Sequence, residues 1–372
     1  MTDRRPTDGN PTLAVRHRPF ALDLTRPLGT ARGEIRSREG FVVTAGGEGD
    51  ESAAVGVGEA TPLPGWTESY EACAAALDGL SEGTGDGPVG DALDDGATPA
   101  ARHGVSLALA DAAARRSGER LADRLAAGAG VDASVADAVP VNATVGDGEP
   151  TETADEAARA VDEGFDCLKL KVGARDVGAD VERVRAVREA VGGAVSLRLD
   201  ANGAWDREAA RRALDALAAF DLAYVEQPLP ADDLDGLAAL RGAERGSGVP
   251  VAVDESVAAR GIGAVLDADA ADAVVLKPMA LGGPDRALAA ALRARSAGVD
   301  PVVTTTVDAV VARAAAVHVA AAVPEVSPCG LATGSLLDED LAPDPCPVAA
   351  GRATVPSGPG LAGGAFDELR RS

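Results

Sequence analysis

Beyond about residue 139, short apolar runs alternate with stretches whose apolar positions recur at helical spacing. The runs fall at 140–145, 167–173, 195–200, 222–226, 249–254, 273–277, 299–304 and 326–331. Eight strands separated by seven helices predict a parallel sheet, and at this regular spacing a closed one. An open doubly wound sheet is the competing solution, but no G-x-G-x-x-G opens a helix after the first strand. The first 130 residues follow another rhythm. Strands are expected at 13–15, 38–43 and 54–60, with a polar Gly-containing loop over 26–33. Helices should follow at 67–80, with Thr67 as cap, at 99–114 and at 118–127, with an acidic loop between at 81–98. The predicted fold is α/β: a TIM-type (β/α) barrel over 131–335, an N-terminal α+β capping domain over 1–130, and a C-terminal segment, 336–372, packing back on that domain.

The polar residues that end the apolar runs carry the candidate chemistry. They are Lys169 and Lys171, Asp200 with Asn202, Glu226, Asp254 with Glu255, and Lys277. From Lys171 the successive separations are 29, 26, 28 and 23 residues, each about one strand–helix unit. Consecutive strand ends therefore present Lys, Asp, Glu, Asp and Lys around one rim, the C-terminal rim on which such barrels carry their active sites. Three carboxylates gathered there repel one another unless a cation sits among them. An all-oxygen donor set suits Mg²⁺, with Mn²⁺ as a substitute, rather than Zn²⁺. Asp200, Glu226 and Asp254 are the expected ligands. His17, His103 and His318 lie outside the pattern.

Composition singles out the lysines. Of 35 basic side chains only three are lysine, and they are these three. Arginine does not deprotonate in proteins, whereas a desolvated lysine beside another cation does, so the lysines mark places where an amine is required. Lys169 and Lys171, two apart on a strand, point to the same side. The net charge of −24 excludes nucleic acid and anionic membrane as natural partners. With few lysines and aromatics and much Ala and Gly, it suggests adaptation to high salt. Four dispersed cysteines without a C-x-x-C pair, no signal-type apolar core and no apolar run of membrane-spanning length predict a soluble cytoplasmic protein with reduced thiols.

Lys169-x-Lys171, Leu199-Asp200-Ala201-Asn202-Gly203-Ala204-Trp205, Val225-Glu226-Gln227-Pro228, Val253-Asp254-Glu255-Ser256 and Leu276-Lys277-Pro278 resemble the strand-end motifs of the enolase superfamily, muconate-lactonising-enzyme subgroup. Gly58-Glu59-Ala60-Thr61-Pro62-Leu63-Pro64-Gly65-Trp66, the 100–106 segment and Gly330-Leu331-Ala332-Thr333 are similar to the o-succinylbenzoate synthase group within it. That resemblance implies a Mg²⁺-dependent carbon–oxygen lyase of menaquinone biosynthesis that dehydrates 2-succinyl-6-hydroxy-2,4-cyclohexadiene-1-carboxylate. Lys171 would be the base, Lys169 its helper and Lys277 a cation on the opposite face. Asn202, Thr304, Thr305 and Arg38 would contact a small carboxylate substrate, with loops 28–39 and 62–66 closing over it, in a monomer or homo-oligomer. The same machinery with two bases would make an N-acylamino acid racemase or dipeptide epimerase. A metal-free Schiff-base lyase and a non-enzymatic barrel are more distant readings. The segment Thr304-Thr305-Thr306-Val307-Asp308-Ala309, Ala332 and Gln227 depart from the family pattern, and the first two bear on specificity.

Overall fold

The computed structural model describes residues 13–30, 33–47, 54–81, 93, 96–241 and 247–371. The chain opens on an antiparallel sheet of β1 (Leu13–Thr30), β2 (Gly33–Gly47) and β3 (Gly56–Ala60). Of the loop expected over 26–33, residues 26–30 belong to β1 and Gly33 to β2, re-registered by a bulge between Asp23 and Leu28, and 31 and 32 lie outside the described residues. Helices α1 (Tyr70–Ser81), α2 (Pro99–Ser117) and α3 (Leu121–Gly128) follow. Helix α1 begins later than expected, because Ser69 rather than Thr67 caps it, accepting from the Ala72 amide at 3.2 Å. Most of the acidic loop expected at 81–98 lies outside the described residues.

The second part alternates strand and helix as expected: β4 (Ala138–Pro140), β5 (Ala143–Val145), α4 (Pro150–Asp162), β6 (Cys167–Lys171), α5 (Val177–Val191), β7 (Ser196–Asp200), α6 (Arg207–Leu217) and β8 (Leu222–Glu226). Then come α7 (Leu234–Arg241), β9 (Val251–Val253), α8 (Glu255–Asp267), β10 (Ala273–Leu276), α9 (Pro278–Leu281), α10 (Pro284–Ser296), β11 (Asp300–Val303) and α11 (Val310–Ala322). Strands β5 to β11 form one curled parallel sheet of seven in sequential order. The eighth strand expected at 326–331 is reduced to two bridging residues. Cys329 pairs with Val141 at one edge and Gly330 with Thr304 at the other. The first expected strand is split, since β4 leaves the curled sheet to pair with β13 (Arg352–Thr354), itself paired with β12 (Val348–Ala349).

The alternation of β6 explains its placement. Leu168 and Leu170 are fully buried in the main hydrophobic core, while Lys169 and Lys171 point to the other face. Beneath Lys169, in register with it, lies Arg198 of β7, whose guanidinium stacks on Tyr224 of β8 with 4.8 Å from Cζ to the ring centroid.

Two buried acids join the parts. Glu59 of β3 accepts from the Ala309 and Ala312 amides at 2.8 Å each. It thereby supplies the cap that Ala309, at the N-terminus of α11, has no side-chain oxygen to provide. Asp111 of α2 accepts from Val57, Leu361 and Arg370, tying the C-terminal helix α12 (Asp367–Arg371) to the N-terminal module. The C-terminal segment also packs on the barrel side, through β12 and β13 and the ion pair of Arg313 with Asp344. All four cysteines are free and buried.

His318 on α11 is fully buried, its Nδ1 3.2 Å from the Ala122 amide and its Nε2 2.6 Å from the Leu361 carbonyl. A neutral ring satisfies both ends, and burial lowers its pKa to about 4. Between that value and about 6.5 the unfolded chain binds the proton and the folded chain does not, so stability rises with pH there. The contribution is full above about pH 6.5 and is lost as pH falls toward 4. Urea unfolding at pH 7.5 and pH 5 should show wild type losing about 2 kcal/mol more than His318→Gln on acidification. Equal losses would contradict this role.

Candidate active site

Register brings the strand ends together. Lys171 pairs with Asp200 across β6 and β7, and Asp200 with Glu226 across β7 and β8. Lys169 Nζ lies 2.9 and 3.1 Å from the two Glu226 oxygens and 3.0 Å from Asp200 Oδ2. Lys171 Nζ donates to Asp200 Oδ2 at 2.6 Å and to Asn202 Oδ1 at 2.8 Å. Asn202, in the left-handed region at φ 45°, turns its Nδ2 to Glu255 Oε1 at 3.1 Å. Lys277 Nζ, from the start of α9, donates to Asp254 Oδ2 at 2.5 Å. All three lysines and all three acids expected at the rim therefore meet in one polar cluster.

The acids share the positive charge unequally. Burial would raise the Asp200 pKa, but Lys169 and Lys171 outweigh it and hold this carboxyl well below its ordinary range. Glu226 is pushed up to about 7 by burial and then by the charge of Asp200. Asp254 is pushed up to about 6, again by burial first, against the pull of Lys277. Burial lowers Lys169, yet Asp200 and Glu226 more than offset it and hold it above its ordinary value.

Three lysines thus face four acids, counting Glu255. Two buried oxygens, Asp254 Oδ1 and Glu255 Oε2, have no hydrogen-bond partner. An all-oxygen donor set with unpartnered carboxylate atoms fits a hard divalent cation. Among the described residues no three such side chains form a ready cage, because the Lys169 ammonium stands between Asp200 and Glu226.

The loops behind the acids are held from below. Gln227, also left-handed at φ 41°, accepts from the Asp254 and Ser256 amides at 3.0 and 3.1 Å. Its Nε2 donates to Leu229 and Ser256, so an amide meets both demands where a second acid would lack the donors. Asp180 and Arg183, one turn apart on α5 and both buried, bind the Gly173 amide and the Lys171 carbonyl at 2.7 and 2.9 Å.

The remaining expected contacts are placed differently. Thr304 Oγ1 donates to the Gly330 carbonyl at 2.8 Å, and Thr305 Oγ1 lies 3.3 Å from Thr333 Oγ1, so both hydroxyls join the seventh strand end to the eighth segment. Arg38 is buried, and its guanidinium donates to the carbonyls of Thr61, Pro62 and Val307. It braces the turn at Val307, a β-branched residue at φ 61°. None of the three histidines enters the site. His17 pairs with Asp78, and His103 and His318 are buried elsewhere.

Sequence reasoning passed over Arg198, Asp180 and Arg183. Arg198 had a signal, an arginine two residues before Asp200 on the same strand face. Trp66 had been read only as part of a loop. It sits with its ring centroid 3.2 Å from Lys277 Nζ.

A curled parallel sheet with lysines at two opposed strand ends and acids on the three between brings together the groups that acid–base chemistry uses. Residues 152–367 match the family described as enolase C-terminal domain-like, and the chain belongs to that family. It is 46% identical over 226 residues to the o-succinylbenzoate synthase of Thermobifida fusca, covering 59% of this chain and 67% of the relative. It is 35% identical over 183 residues to the N-succinyl-L-Arg/Lys racemase of Bacillus cereus, spanning about half of each (49% and 48%). The fold is similar, with a TM-score of 0.83 and 26% identity over 94% of this chain and 99% of the other, to the dipeptide epimerase of Enterococcus faecalis complexed with Mg and a dipeptide. No helix among the described residues is long and apolar enough to cross a membrane.

Proposed function

We propose that this chain is a magnesium-dependent lyase that converts 2-succinyl-6-hydroxy-2,4-cyclohexadiene-1-carboxylate to o-succinylbenzoate in menaquinone biosynthesis, as a soluble cytoplasmic enzyme. The observation that carries the choice of lyase over epimerase is the inequality of the two facing lysines. The Lys171 side chain is 39% exposed, whereas that of Lys277 is 10% exposed, bonded to Asp254 and covered by Trp66. Elimination needs one base on one face, whereas epimerisation needs two. The similarity to an o-succinylbenzoate synthase over more than half of the chain supports the same reading.

A divalent cation held by Asp200, Glu226 and Asp254 would offset the negative charge on the substrate carboxylate and so acidify the neighbouring C–H. Lys171 Nζ removes that proton, oriented by Asn202 and Asp200. Lys169, fixed between Asp200 and Glu226, contributes positive charge on the same face. The proton on Lys171 then leaves with the departing hydroxyl as water. Lys277 remains a cation on the opposite face. Asn202 contacts the substrate, Thr304 and Thr305 hold the seventh strand end to the eighth segment, and Arg38 serves by holding the Val307 turn in place.

The test is loss of the cyclohexadiene absorbance with purified protein and Mg²⁺ at high salt. EDTA should abolish the loss, and Mg²⁺ or Mn²⁺ should restore it. Rapid α-proton exchange in dipeptides or N-succinylamino acids, with the cyclohexadiene untouched, would replace this reading by the racemase one.

A further inference from the structure

From the lysine inequality on which the lyase reading rests, we infer that Trp66 of the capping domain is a specificity-determining residue, which keeps the site single-based by occupying the space from which a substrate carbon would exchange a proton with Lys277.

Trp66 is presented rigidly. The turn 63–67 is closed by the Trp66 and Thr67 amides donating to the Leu63 carbonyl at 2.9 Å each and by the Leu63 amide donating to Thr67 Oγ1 at 2.7 Å. Gly65 sits within it at φ 100°, a conformation that excludes an ordinary side chain. The indole face so delivered stands 3.2 Å, centroid to nitrogen, from Lys277 Nζ, on a group whose other contact is Asp254 Oδ2. A carbon poised for proton transfer must itself lie about 3 to 3.5 Å from the nitrogen. Ring and substrate carbon therefore compete for one position. Among the described residues no aromatic ring lies over Lys171, whose Nζ donates to Asp200 and Asn202.

The probe is α-proton exchange in D₂O with the L and D forms of N-succinylarginine, in the Mg²⁺-loaded protein. Exchange moves the α-proton to a lysine nitrogen and returns a deuteron from solvent. Wild type should exchange one enantiomer, the one presented to Lys171, much faster than the other. Trp66→Ala should raise the slower enantiomer about tenfold relative to the faster, and Trp66→Phe should return the ratio toward wild type. The gain must vanish in the Trp66→Ala/Lys277→Met double variant. A ratio unmoved in folded Trp66→Ala, or a gain surviving loss of Lys277, overturns the inference. Because the readout is a ratio, a general disturbance of the cap does not mimic it. It also stands apart from the lyase reading, which fails separately if wild type leaves the cyclohexadiene intact.

Discussion

Lys171→Ala is expected to lower turnover of the cyclohexadiene carboxylate by about three to four orders of magnitude, at the upper end of what a positioned base contributes. The loss should fall on kcat, because Lys171 lies on the reacting face while Asp200 keeps its second ammonium partner, Lys169, at 3.0 Å. Lys171→Arg is the sharper variant. It retains charge at that strand end, but a guanidinium does not give up its proton in a protein, so turnover should fall nearly as far. Folding should survive both changes, since the Lys171 side chain is partly exposed and Leu170 and Val172 on either side of it face the core. Following the diene absorbance under single-turnover conditions reads the chemical step directly. Turnover by Lys171→Arg within tenfold of wild type would remove Lys171 from the mechanism and leave Lys277 as the base to examine.

The second large effect is on stability and lies far from the lysines. Asp111→Ala should cost about 3 to 5 kcal/mol, the range for breaking a buried ion pair by deleting one partner. The carboxylate is fully buried. It accepts from the Val57 amide at 2.9 Å, from the Leu361 amide at 2.7 Å, and from Arg370 Nε and Nη2 at 3.1 and 2.9 Å. Deleting it strands two amides from separate parts of the chain and leaves the nearly buried Arg370 guanidinium only its Nη1 contacts with Gly363 and Asp367. Asp111→Asn keeps one acceptor oxygen and should lose less. Chemical unfolding with an unchanged denaturant slope checks the figure. A loss under about 1 kcal/mol would mean that the C-terminal segment is held by its β12–β13 pairing and apolar contacts alone.

The barrel was legible because its signal is periodic and local. Leu168 and Leu170 alternate with Lys169 and Lys171, and that alternation alone puts both amines on one face. The spacing of Asp200, Glu226 and Asp254 located three acids on successive strands before any geometry was known. Where reading failed, the competing influence was tertiary. The expected eighth strand kept only the bridges at Cys329 and Gly330, because a segment that short is paired by its two neighbours rather than by its own propensity. Thr67 has the right chemistry for a helix cap, but its hydroxyl is engaged by the Leu63 amide, and Ser69 caps α1 instead. Arg38 lies in a loop expected to reach the substrate, yet three backbone carbonyls from two loops take up its donors. Glu59 lies in the strand expected at 54–60, but nothing local indicated that it caps a helix that begins 251 residues later, at Val310.

By itself the sequence determined which polar residues end the strands and in what order they follow one another around the rim. Side-chain direction along a strand and the length of a strand–helix unit are set by covalent geometry and hydrogen-bond periodicity, which neighbouring residues suffice to specify. Only the tertiary structure decided how unlike the three lysines are. Lys169 is fixed between two acids, Lys171 is open beside Asn202, and Lys277 is shut between Asp254 and the indole of Trp66. Those differences depend on desolvation and on contacts between groups as far apart in sequence as Trp66 and Lys277, and these exist only once the capping domain has closed over the sheet.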